Sequence, residues 1–397
     1  MSTMKKIIKN NKYIYLCTYK LWSMVINMLI FFLKLFIKID QKSIIINSFY
    51  SRKYNDSPLR LSNSLQRDSE FSDYKIYWVF DEPQNFKVTD NIIKIKSNSF
   101  YYLKTLLKSK IWITNSDINR FKSVSVSSNK HIYINTWHGV PLKYLGMDER
   151  SIDPRIKSWY KYSKFDLMCA CSNYDLNIFK NVFPNSKNSI KITGLPRNDE
   201  LLENMNLEKI RNLLNLPKGK KIVLFAPTYR DYARVSENES LDSVNILFKN
   251  VPKKVIEKFF EKYVVLYRGH YLTKLEDDIE GEIVDVTNYD NLNELMLISD
   301  VLISDYSSLI FDYSVLEKPI YLYVHDYTKY SKSRGMYVNI DELGLPIFSE
   351  AETLLQAIVE EKYSEMNTEK FQNIFNVKRT SDATENVMHE IRRLIHE

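Results

Sequence analysis

The sequence predicts an α/β chain made of two doubly wound domains, and three observations carry that prediction. Apolar runs of strand length recur along it, among them residues 75–80 (KIYWVF), 110–114 (KIWIT), 221–226 (KIVLFA) and 263–267 (YVVLY). Helical segments fall between them, and a repeated strand-then-helix order builds parallel sheets. At 397 residues the chain also exceeds what one core ordinarily serves, so two domains of roughly 150–200 residues each are expected.

The first 40 residues stand apart. Residues 21–37 are almost wholly apolar, interrupted by Asn27 and Lys34, and reach the short edge of the roughly 20 residues that cross a bilayer. Lys5, Lys6, Lys9, Lys12 and Lys20 precede this run, and Lys34 and Lys38 close it. Positive charge on both flanks, with Trp22 and several tyrosines alongside, fits a helix lying in the interface of an anionic leaflet better than one spanning it. Lys38, Ile39 and Asp40 follow where a signal peptide would carry a small-residue cleavage site. The competing reading is a buried helix of the first domain.

Residues 41–216 are predicted to be the first domain. A strand at 44–46 leads into a polar, aromatic loop (47–58, NSFYSRKYNDSP) and a helix around 59–65. Strands follow at 75–80, 91–95, 110–114 and 131–136, with a helix over 100–109. The densest group of unusual residues comes next, at 137–148 (WHGVPLKYLGMD). A strand feeding directly into Trp137, His138 and Gly139 puts His138 at the carboxyl-end crevice, where open α/β sheets bind ligands. Gly139 permits close backbone approach there, and Lys143 follows within one helical turn. Strands at 165–172 and from 191 precede a turn carrying Arg197 and Asp199. A helical stretch over 203–216 reaches the Pro217-Lys218-Gly219 turn, the expected junction.

Residues 217–397 repeat the alternation, with strands at 221–226, 263–267, 283–286, 301–303 and 320–323, and a charged helical end over 356–397. The strand at 301–303 runs straight into Asp305-Tyr306-Ser307-Ser308, with Ser307 or Ser308 the expected N-cap of a helix carrying Ile310, Phe311 and Leu316. A helix N-terminus at the end of a parallel strand offers N–H groups to an anion. Two more strand ends of this domain carry phosphate-type residues: Thr228 and Arg230 after one, Arg268 and His270 after another. Singly, such arginines are mostly solvated surface residues and such histidines mostly structural. Gathered on one sheet edge, they point to a nucleotide donor site.

Composition excludes several classes. Hydrophobic content of 44% and charged content of 26% belong to a globular protein. Eight glycines include no G-x-G-x-x-G or G-x-x-x-x-G-K loop. Three cysteines, Cys17, Cys169 and Cys171, make neither a disulfide framework nor a zinc spacing, and six histidines include no H-E-x-x-H pair. The net charge of +7 fits an anionic substrate or membrane surface, and no single element clusters basic and aromatic residues as a nucleic-acid binder would.

The motifs TWHG-x-PLK (136–143), GLPRND (194–199), APTYRD (226–231), RGH (268–270), SDVLISDYSSLIFDY (299–313) and RGMY (334–337) occur in that order. In order and wording the chain resembles the CDP-glycerol:poly(glycerophosphate) glycerophosphotransferases, which prime and polymerise teichoic acids and related capsular polymers. The resemblance covers about residues 44–348 and implies a GT-B fold, two Rossmann-like domains facing across a cleft. It also implies a peripheral enzyme at the cytoplasmic membrane face, taking CDP-glycerol or CDP-ribitol as donor and a lipid-linked acceptor. In that frame His138 is the candidate base. Arg230, Arg268, His270, Thr228, Ser307 and Ser308 are candidates for the donor phosphates, with His270 also catalytic, and Asp305 for a ribose or polyol hydroxyl. Trp137, Gly139 and Lys143 belong to the acceptor side of the cleft. Arg197 and Asp199 orient His138 or, preferably, brace the two domains. No Asp-x-Asp pair stands in the sequence, so basic residues are expected in place of a divalent metal. A GT-B glycosyltransferase using a nucleotide sugar and a non-catalytic polymer binder are the competing readings.

Overall fold

The computed structural model describes residues 12–118, 130–149, 152–228, 230, 244–269, 282–362 and 366–397. Two all-parallel sheets organise it. The first contains β1 (Asp40–Asn47), β2 (Lys75–Phe80), β3 (Ile92–Lys96), β4 (Ser109–Thr114), β5 (Ile132–Asn135), β6 (Leu167–Ala170) and β7 (Ile190–Ile192), in the order β3-β2-β1-β4-β5-β6-β7. The second contains β8 (Lys221–Phe225), β9 (Tyr263–Tyr267), β10 (Ile283–Asp285), β11 (Val301–Ser304), β12 (Ile320–Tyr323) and β13 (Ile347–Phe348), in the order β10-β9-β8-β11-β12-β13. Central strands are buried toward their carboxyl ends, and β5, β9 and β11 along their whole length, because helices cover both faces, as parallel sheets require. This is the two-domain α/β arrangement of the GT-B fold. The two-residue β13 is too short for periodicity to show it.

Helices pack on both sheets. α1 (Lys12–Phe36) and α2 (Asp56–Arg67) precede α3 (Phe100–Lys108), α4 (Pro154–Tyr162) and α5 (Asn173–Val182), all in the first domain. α6 (Leu207–Leu213), α7 (Lys253–Lys262), α8 (Leu292–Ile298), α9 (Leu309–Ser314), α10 (Tyr327–Arg334), α11 (Ala351–Val359) and α12 (Met366–Phe375) follow, and α13 (Ala383–His396) ends the chain.

Two segments sit in the other domain from the one their sequence position suggests. Leu201, Ile210 and Leu216 pack in one cluster with Ile222, Leu224 and Leu302, so α6 joins the second domain ahead of the expected junction. In the opposite sense, Val387, Met388 and Ile391 of α13 pack with Ile44, Ile46 and Leu65 on the first sheet. Lys191–Glu390 and Arg392–Asp68 ion pairs hold the outer side of that helix. The C-terminal helix therefore straps the first domain although it is sequentially part of the second.

α1 combines two behaviours. Ser23 and Ile30 are buried, and Ile26, Ile30, Leu33 and Ile37 pack into the first-domain core at steps of three and four residues. The opposite stripe, with Met24, Met28, Phe31, Leu35 and Phe36, is exposed. The described part is thus neither a buried helix nor one free of the domain. The preceding lysines Lys5, Lys6 and Lys9 lie outside the described residues.

Candidate active site

Each sheet reverses its strand order once, the first between β1 and β4, the second between β8 and β11. Such reversals open a crevice at the carboxyl ends of the strands. A cavity of about 440 Å³ lies where the two crevices meet. Phe49, His138, Arg197 and one face of α2 (Asp56, Leu59, Arg60, Asn63) line it from one side. Ala226, Pro227, Arg268, Gly269, Ser307 and Ser308 line it from the other.

His138 follows β5 through a turn that holds Trp137 at φ 56°, a left-handed conformation unusual for a bulky residue. The Trp137 indole stacks on the imidazole with centroids 4.5 Å apart, and Phe49 approaches its edge. His138 Nδ1 lies 2.6 Å from the Asn115 carbonyl oxygen, which can only accept, so Nδ1 carries the proton and Nε2 is the basic nitrogen. Burial of the ring pulls its pKa below the ordinary histidine value, with Arg197 and Lys143 acting in the same sense, against the Asn115 hydrogen bond and Asp56, which raise it.

On the opposite wall, Arg268 Nη1 donates to the carbonyls of Val286 (3.1 Å) and Tyr289 (2.8 Å). Among the described residues no carboxylate lies within ion-pair distance of it, and its side chain lines the cavity. Ser307 Oγ accepts from Leu309 N at 3.2 Å, whereas Ser308 makes no side-chain capping bond. Of the expected helix residues, Ile310 and Phe311 lie on α9, and Leu316 lies just beyond it. Gly139, at φ 141°, packs so closely that a Cβ there would sit 2.6 Å from Ser308 Oγ. The turn carrying the imidazole therefore abuts the serine turn directly. Gly139→Ala should cost about 1–3 kcal/mol of stability through this clash and the backbone strain, and raise the apparent KM for an anionic donor. Thermal unfolding and donor titration check it, and wild-type values in both would show that the contact is dispensable.

Several expected site residues do other work. Arg230 is 1% exposed and ion-paired to Asp305 (2.6 Å) and Asp326 (2.7 Å), beside the stacked rings of Tyr306 and Tyr330. Its charge is neutralised inside the domain, so it organises the loop rather than presenting itself to phosphate. Asp305, expected on a sugar hydroxyl, instead accepts from Thr228 N, Tyr306 N and Arg230. Thr228 is fastened by that backbone bond and does not line the cavity. Trp137 is buried beneath His138 as a platform and does not face the cleft. Lys143 pairs through its backbone with Met336 in a short antiparallel bridge, flanked by Tyr144 N to Gly335 O and Tyr337 N to Leu142 O. That bridge gives the RGMY motif its place: Gly335 has no Cβ to meet the Tyr144 ring. Asp199 accepts from Ala383 N and Thr384 N and so caps α13, away from the cleft. His270 lies outside the described residues.

Arg197 does span the domains. Nη1 meets Asp56 Oδ2 at 2.6 Å, at the start of α2, and Nη2 meets Asp312 Oδ2 at 2.7 Å, on α9. Asn198 adds a bond to the other Asp312 oxygen. Asp56, Asp312, Phe49 and Asn115 went unread in the sequence, where their partners are far apart. The run of polar residues ending the buried β1 and β4 was the available signal.

A family profile described as CDP-Glycerol:Poly(glycerophosphate) glycerophosphotransferase matches residues 29–393. The chain belongs to this family. Among curated members of the glycerophosphotransferase family, a teichoic acid glycerol-phosphate transferase of Staphylococcus aureus is 30% identical over 90% of this chain and 89% of its own length. A teichoic acid poly(glycerol phosphate) polymerase of Staphylococcus epidermidis is 33% identical over 82% of this chain, and here the match spans about half of the relative, 47%. The wall teichoic acid polymerase TagF, solved after a soak with CDPG, superposes with a TM-score of 0.78 at 29% identity, covering 90% of each chain. UDP-GlcNAc 2-epimerase from Neisseria meningitidis, 12% identical with a TM-score of 0.54, shares the fold alone. The chain is an enzyme of the glycerophosphotransferase family.

Proposed function

We propose that this chain transfers glycerol phosphate from CDP-glycerol to a hydroxyl of a lipid-linked acceptor in teichoic acid-like or capsular polymer synthesis, releasing CMP. The observation that supports it is the meeting, across one cavity, of an Nε2-basic imidazole and the Arg268 guanidinium, which has no carboxylate within ion-pair distance among the described residues. The acceptor hydroxyl attacks the glycerol-side phosphorus while His138 Nε2 takes its proton. The bond to the CMP oxygen breaks as the new phosphodiester forms. Arg268 and the Ser307–Ser308 turn stabilise charge on the phosphoryl oxygens, with His270, next in sequence to the wall residue Gly269, assigned to the departing CMP. Of the carboxylates lining the cavity, Asp56 and Asp312 are engaged by Arg197, Asp290 by Lys53, and Glu200 by the amides of Asn291 and Asn293, which supports cationic side chains in place of a divalent metal.

The test is CMP release from CDP-glycerol, with CDP-ribitol and UDP-sugars as competitors, using an acceptor carrying a lipid-linked disaccharide. Turnover selective for CDP-glycerol that survives chelator is the expected result. Selective release of UDP would replace the reading with a glycosyltransferase, and complete loss with chelator would restore a metal to the site.

The same proposal places the enzyme on the membrane through α1. Residues Cys17–Phe36 are long and apolar enough to cross a bilayer, with mean hydropathy 1.5, yet one stripe of the helix is docked on the first domain. A helix fixed lengthwise on a domain presents its other stripe to the surface of a bilayer rather than its length to the interior. Met28→Glu with Phe32→Glu, both on exposed positions, should abolish cosedimentation with anionic vesicles while leaving the fold intact. Undiminished vesicle binding would locate the attachment elsewhere.

A further inference from the structure

Three asparagines stand at the carboxyl ends of the three central strands of the first sheet: Asn47 on β1, Asn115 directly after β4 and Asn135 on β5. None is more than 1% exposed. A primary amide buried so completely needs both its donor and its acceptor satisfied. Asn47 Nδ2 donates to the Asp117 carbonyl (3.2 Å), and its Oδ1 accepts from Thr114 Oγ1. Asn115 Oδ1 accepts from Phe49 N (2.8 Å), and its Nδ2 donates to Ser48 Oγ (3.2 Å). Asn135 Nδ2 donates to the Ser116 carbonyl (2.9 Å), and its Oδ1 accepts from Trp137 N (2.8 Å).

The third amide joins the two segments on which His138 depends. Ser116 follows the residue whose carbonyl receives the imidazole Nδ1–H, and Trp137 precedes the imidazole itself. We propose that Asn135 is a positioning residue for His138: by tying the Ser116 carbonyl to the Trp137 N–H, it keeps the Asn115 oxygen on Nδ1 and leaves Nε2 as the basic nitrogen. This rests on the reading of His138 as the base. A backbone carbonyl selects a tautomer only while it stays within hydrogen-bond reach, because the alternative tautomer would set a lone pair against it. Asn135 also compensates the left-handed turn at Trp137, where a side chain with an acceptor alone would satisfy one of the two partners and leave the Ser116 carbonyl unpaired.

Nitrogen-15 spectra of histidine-labelled full-length protein, with His138 assigned by difference against His138→Gln, read the tautomer directly at a pH where the ring is neutral. Wild-type protein should show Nδ1 protonated and Nε2 bare. Asn135→Ala should give a mixture of tautomers and lower kcat by about 10–10²-fold, as misplacement of a reacting group does, with the donor KM within about twofold. Asn135→Ser, which keeps a local bond to Trp137 N but does not reach Ser116, is the second variant should the first not fold, and should show the same mixing with a smaller loss. A wild-type ring protonated on Nε2, or an unmixed tautomer with full kcat in the Asn135 variants, overturns the proposal. If His138→Ala retains turnover the base reading fails, while the spectra still report whether Asn135 fixes the ring.

Discussion

His138→Ala should lower polyol-phosphate transfer by about 10²–10⁴-fold, the usual contribution of a positioned base, while donor binding survives. The split follows from where the side chain stands. His138 lines the first-domain wall, and the cationic and hydroxyl groups suited to the donor line the second. Removing the imidazole takes away the proton acceptor and leaves Arg268 and the serine turn in place. The pH dependence gives a second readout with a definite sign. Burial holds the folded pKa of His138 below the ordinary histidine value, so the base is neutral and fully competent at neutral pH. Activity should fall only as the pH drops through that lowered value, and the residual activity of the alanine variant should lack this acid limb. Isothermal titration with CDP-glycerol and a pH–rate profile measure the two halves. Near-normal turnover in the variant would remove His138 from the mechanism.

The sequence and the structure agree where information is local and part where it is not. Strands such as Tyr263–Tyr267 and Ile320–Tyr323 lie where the apolar runs predict, because a strand buried on both faces needs no partner to be recognisable. The cavity walls at His138, Arg268, Ser307 and Ser308 were readable for a related reason: each directly follows a parallel strand, and fold rules alone bring strand ends together. Arg230 occupies the same kind of position and behaves differently, since its carboxylate partners lie 75 and 96 residues away. Nothing near it in the chain separates a guanidinium that faces substrate from one sealed between Asp305 and Asp326. Asp199 failed similarly, its role set by a helix that begins 184 residues later. The return of α13 to the first sheet belongs to the same class, since an amphipathic helix shows which side is buried but not against which sheet.

Arg197→Met should be the most destabilising single change in the cleft, costing about 3–5 kcal/mol, because it leaves two buried carboxylates facing each other without their cation. The side chains of Arg197, Asp56 and Asp312 are only 12%, 7% and 4% exposed, so water cannot screen what remains. The Asp312 carboxyl is already pushed toward its neutral form by burial and drawn back chiefly by Arg197. Without the guanidinium, both acids must either ionise in repulsion or take up protons at the expense of folding. Lysine should recover only part of the loss, since a single ammonium cannot reach both carboxylates with the fork that arginine offers. The variant Asp56→Asn/Arg197→Met/Asp312→Asn should regain most of the stability, as neutral replacement of a buried ionic triad commonly does. Its turnover should stay low, because Asp56 opens the helix lining one wall and Asp312 lies on the helix that Ser308 begins. Chemical denaturation of the four proteins, read beside CMP release, separates stability from register. If Arg197→Met unfolds at the wild-type midpoint, the ion triad does not hold the two domains together, and the alignment of His138 with Arg268 must come from the Lys143–Met336 seam instead.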